Sequence, residues 1–143
     1  MSGSVAVFVW TAVFGLIAIV DLRTRRIPDT LLLSAAIAAM LLARGNGSLP
    51  SALIAGAAGF GMFWLLRRLS LRRGPAAFGG GDVKLAGVVG LVVGPSFPVA
   101  LIVGTGAGAA VALALLASGR SRRAFFPYGP ALALGAVVAL LSA

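Results

Sequence analysis

Gly79-Gly80-Gly81-Asp82-Val83-Lys84-Leu85-Ala86-Gly87 sets a carboxylate and the chain's one lysine at the doorway of an apolar run. An ionisable side chain at membrane depth costs about 3 kcal/mol or more, so its default reading is function rather than packing. Whether this doorway lies in a membrane is decided by composition. Of 143 residues, 60% are hydrophobic and 10% charged, with a mean hydropathy of +1.09, whereas soluble domains are about one-quarter charged. The chain reads as an all-α, polytopic membrane protein, and Asp82 is its first candidate for chemistry.

Working outward from that doorway, apolar runs and helix breakers mark about six transmembrane helices: Val5 to Val20, Thr30 to Ala43, Leu49 to Leu66, Val83 to Gly94, Phe97 to Ala117 and Phe126 to Leu141. They form a single membrane-embedded domain over residues 1–143. The run after Asp82 stops at Gly94-Pro95 and is too short to cross about 30 Å of hydrocarbon. Either its helix starts further upstream or its neighbours shield it from lipid. The amino terminus has no basic residue before its apolar run and no small-residue cleavage site after it, so it reads as a retained first span.

Of the twelve basic residues, all but Arg44 fall in the first, third and fifth connections. By the positive-inside rule those connections are cytoplasmic and both termini lie outside. Asp21 then ends span one, and Asp82 opens span four, at the same face; Asp29 lies there too. A net charge of +9 and a pI near 12.0 would suggest nucleic acid in a soluble chain. Here the arginines sit in short clusters between apolar runs, which suits anionic lipid headgroups and argues against a nucleic-acid partner.

Without cysteine, histidine or glutamate, the chain lacks thiol nucleophiles, Cys/His zinc sites and the usual neutral-pH base. Three aspartates are too few for the usual oxygen-ligand metal site, and no cofactor is expected. Asp21 and Asp82 remain as the candidate catalytic pair. Two carboxylates sharing a poorly solvated site hold one proton between them, which is what an aspartyl protease needs: one activates water and the other assists at the scissile carbonyl. Gly79, Gly80 and Gly81 allow a substrate or partner helix close to Asp82. Lys84 either favours the ionised form of Asp82 or snorkels to the interface.

Each piece also has a plain structural reading. Asp21 could pair with Arg25 one turn on, and Asp29 after Pro28 suits a helix N-cap, with Thr30 competing. Small residues at four-residue spacing, among them Ala55 and Gly59, Ala57 and Gly61, Ala86, Gly90 and Gly94, and Gly104 and Gly108, suit close helix packing. Trp64 and Tyr128 suit aromatic-belt anchors. The alternative function is a small ion-coupled transporter or channel subunit in which the two aspartates bind a proton or cation. Against it, the second and fourth connections carry no acid.

Asp21-Leu22-Arg23-Thr24-Arg25-Arg26-Ile27-Pro28-Asp29 resembles the first aspartate motif of the type IV prepilin peptidases, and Gly79-Gly80-Gly81-Asp82-Val83-Lys84-Leu85 resembles their second, the Gly-x-Gly-Asp motif of membrane aspartyl proteases. Pro127-Tyr128-Gly129-Pro130-Ala131-Leu132-Ala133-Leu134-Gly135 is similar to the segment that opens their last helix. The resemblance implies an inner-membrane, multi-pass endopeptidase that cuts the basic leader from a prepilin or pseudopilin at the cytoplasmic face. Asp21 and Asp82 would be catalytic, with Gly79, Gly80, Gly81, Lys84, Pro28 and Asp29 on the substrate. It resembles most the short, peptidase-only form found with tight-adherence pili, without the cysteine-bearing region associated with methylation. Position 29 departs from the family, which usually has Asn there.

Overall fold

The computed structural model describes residues 3–24, 26–72, 79–118 and 128–142, and among these every regular element is helical. The elements are α1 (Gly3–Thr24), α2 (Asp29–Gly45), α3 (Leu49–Leu71), α4 (Gly80–Val93), a 3₁₀ turn (Gly94–Ser96), α5 (Phe97–Ala117) and α6 (Tyr128–Leu141). Three stretches are long and apolar enough to cross a membrane: Ser4–Thr24, Leu49–Leu71 and Gly80–Leu115, the last taking in α4, the turn and α5. Large apolar side chains point outward from all three, including Phe8 at 76%, Ile54 at 71% and Ile102 at 71% exposure. Water would penalise such a surface, but lipid does not, so the exterior agrees with the composition: this is a membrane protein.

Helices run further than the apolar runs that announce them. α1 continues past Val20 to Thr24, and α3 past Leu66 to Leu71. Backbone hydrogen bonding is local and tolerates a polar last turn, and Arg68 folds back over the Trp64 ring, 5.3 Å from its centroid. Trp64 itself is exposed, as an interfacial anchor should be. The predicted start of span six at Phe126, together with Arg25, Arg73, Arg120, Arg122 and Arg123, lies outside the described residues.

The short α4 resolves the length problem by burial. It begins at Gly80, two residues before Asp82, and packs against α2, α3 and α6, so that most of its side chains are buried. The core gathers around it, with Phe14, Ile17, Phe63, Leu85, Val89 and Leu132 almost wholly enclosed. Two helix pairs are pressed together by glycine. A Cβ on Gly90 or Gly59 would run into the backbone carbonyl of Ala55 or Ala86, and one on Gly135 into that of Ala100, which locks α3 to α4 and α5 to α6. Not every predicted packing glycine takes part. Gly61 faces open space, and Gly94 has φ +52°, a conformation that turns the chain out of α4 into α5.

Candidate active site

The connection from α1 to α2 is short and tightly held. The Thr24 hydroxyl donates to a carbonyl (Val20 O and Arg26 O both lie at 2.8 Å), and it accepts the Arg26 N–H at 3.3 Å. Pro28, extended at φ −61° and ψ 129°, then occupies the N-cap position before α2. Between them Ile27 turns inward and is buried. Its side chain lies against the Cα side of Gly81, where a Cβ would stand 3.4 Å from Ile27 Cβ, and of Gly129, where a Cβ would stand 3.4 Å from Ile27 Cδ1. Ile27 therefore wedges the beginnings of α4 and α6 around the end of α1.

Asp21 and Asp82 both border this junction. Both are buried, at 6% and 8% exposure, and they are near enough to interact electrostatically. Asp21 lies under Gly129: a Cβ there would come within 2.5 Å of Asp21 Oδ2 and 3.1 Å of Cγ. Asp21 Oδ2 has no hydrogen-bond partner among the described residues. Asp82 Oδ2 accepts the Gly79 N–H at 2.9 Å, so the carboxylate caps its own helix and is fixed in direction. A buried carboxylate oxygen without a partner is costly, and such exceptions concentrate where a structure keeps a group ready for a ligand or water.

Tyr128 belongs to the same cluster rather than to an aromatic belt. It is half-buried, its ring centroid lies 5.5 Å from that of Phe63 on α3, and its phenol interacts with the Asp82 charge. The reason is that α6 begins at Tyr128 against α1 and α4, with Gly129 beside it giving room to Asp21.

Lys84 and Asp29 are placed differently from expectation. Residues two apart on a helix do not share a face, so Asp82 points inward while Lys84 points out. Lys84 Nζ bonds Asp29 Oδ1 at 2.7 Å. Asp29 is the first residue of α2, the N-cap position falls on Pro28, and no side chain caps that end. Of the expected substrate-side residues, Gly79 and Gly81 border the buried carboxylates, while Gly80, Pro28, Asp29 and Lys84 lie on the exposed side of the same junction. Among the described residues no group of three His, Cys, Asp or Glu comes together. Ile27, Tyr128 and Gly129 carry no signal of charge in the sequence. Their signal lay in the Asp21–Asp29 and Pro127–Gly135 segments, read for resemblance rather than chemistry.

The model of the type IV leader peptidase family matches residues 7–118. The chain belongs to that family. The match runs from within α1 through the end of α5, so it includes Asp21, Ile27, Asp29 and Asp82 and stops short of α6. No curated protein sequence and no solved structure matches the chain. Family membership makes this leader-peptidase homologue a peptidase, and its apolar helices make it a membrane-bound one.

Proposed function

We propose that the protein is a membrane aspartyl endopeptidase that removes the leader of prepilin-like substrates at the cytoplasmic face of the inner membrane. The observation that supports this reading is that Asp21 and Asp82, two buried carboxylates from helices remote in sequence, both border one glycine-lined junction. Family membership supplies the reaction class, which favours hydrolysis over ion transport.

In this mechanism the two acids hold one proton between them. The Gly79 N–H holds Asp82 Oδ2 and so fixes the direction of that carboxylate. The ionised member takes a proton from the attacking water, and the protonated member donates to the scissile carbonyl oxygen. The tetrahedral species then collapses, the amide C–N bond breaks, and the new amino terminus leaves with a proton. Neither a covalent intermediate nor a metal takes part. The six helices would cross the membrane with both termini outside, which puts this junction beside the cytoplasmic arginines.

The test is co-expression with prepilins of the same genome and sequencing of the mature amino terminus. Asp21→Asn and Asp82→Asn are each expected to abolish cleavage while the protein still inserts. Full activity in either variant would eliminate the pair.

A further inference from the structure

We infer that Asp29 and Lys84 form a clasp that positions the catalytic junction and do not themselves read the substrate. The proposal rests on the two-aspartate reading above and adds a mechanical part to it. Three observations converge. The 2.7 Å ion pair joins the first residue of α2 to the fifth residue of α4. The hollow behind it, about 550 Å³ between α2, α3 and α4, is otherwise lined by apolar residues such as Leu33, Met40, Leu53 and Phe60, so packing between α2 and α3 is thin there. And Asp29 is tied to Ile27 through Pro28 alone, whose ring fixes φ, so a shift at Asp29 passes directly to the wedge between Gly81 and Gly129.

Charge explains why the partners are these two. A cation in the first turn of a helix opposes the helix dipole, and an anion there is favoured. Asp29, in the first turn of α2, is the anion so favoured, and Lys84, one turn in from the start of α4 and past the reach of that helix's own dipole, supplies the cation it pairs with. With the pair closed, α2 rests on α4, Ile27 fills the space beside Asp21, and the two carboxylates keep their spacing. Lys84 and Asp29 are positioning residues, and Ile27 is what they position.

The chain has no cysteine, so the clasp can be read without reference to activity. The 3.4 Å between Ile27 Cβ and the Cβ position of Gly81 is close to disulfide geometry. In membranes, the Ile27→Cys, Gly81→Cys double variant should cross-link readily on oxidation. Adding Lys84→Met or Asp29→Asn should slow cross-linking several-fold, and the charge swap Asp29→Lys with Lys84→Asp should recover most of the rate. In the cysteine-free protein, Lys84→Met should lower kcat by about fivefold, the scale of an exposed ion pair, with KM for a prepilin unchanged. Equal cross-linking in all variants, a swap no faster than the single changes, or a rise in KM at unchanged kcat would each overturn the clasp. Failure of the wild-type protein to cut any prepilin would instead remove the peptidase reading, and the cross-linking result would stand apart from it.

Discussion

Asp21 has room where it lies because residue 129 is a glycine. Gly129 presents no side chain to it, and any Cβ there would displace Asp21 Oδ2 from its present position. Because the obstacle is the tip of a side chain rather than backbone, Gly129→Ala should fold, with a loss of stability of about 1 kcal/mol. Activity should fall much further, since a displacement of about 1 Å at a reacting group can cost about a hundredfold. Leader cleavage measured beside thermal unfolding in detergent separates the two; parallel losses would count against a catalytic Asp21. The acids at this junction were legible from the sequence because a charge in an apolar chain demands a reason. The chemistry of Ile27 and Gly129 was not, because an isoleucine and a glycine in such a chain look like all the others and stood out only as members of segments that resemble a family.

The glycine spacing in α3 and α4 is a matter of the helix pair rather than of any one residue. Gly90 lies against the Ala55 backbone, which cannot rotate out of the way, so Gly90→Ala should force α3 and α4 apart and cost about 1–3 kcal/mol. Gly61→Ala, in open space on the same α3, should be neutral or stabilising by up to about 1 kcal/mol through helix propensity. A thermal-shift comparison of the two variants checks this, and equal destabilisation would show that the spacing rule, not the contact, sets the cost. Four-residue spacing in the sequence identified both glycines as packing candidates. It could not tell them apart, because the spacing defines a helix stripe but not which stripe meets a neighbour.

Across the whole molecule, the proposed topology puts the arginine-rich connections and the two aspartates at one membrane face. In a cysteine-free chain, single cysteines report sidedness cleanly. Asn46→Cys, between α2 and α3, is expected to react with an impermeant maleimide from outside, and Arg72→Cys, after α3, only once the membrane is opened. Labelling of Asn46→Cys from the cytoplasm would invert the proposed orientation and take the site away from the cytoplasmic face.

The sequence by itself determined the membrane, the helices and the identity of the scarce acids, because hydropathy and charge are properties of residues and need no partner to be read. Tertiary structure alone decided that Asp21 lies under Gly129, that Ile27 wedges α4 and α6, and that Lys84 turns away from Asp82 to Asp29. Those facts depend on which faces of separate helices meet, and helix rotation is fixed by packing among all of them rather than by any local pattern.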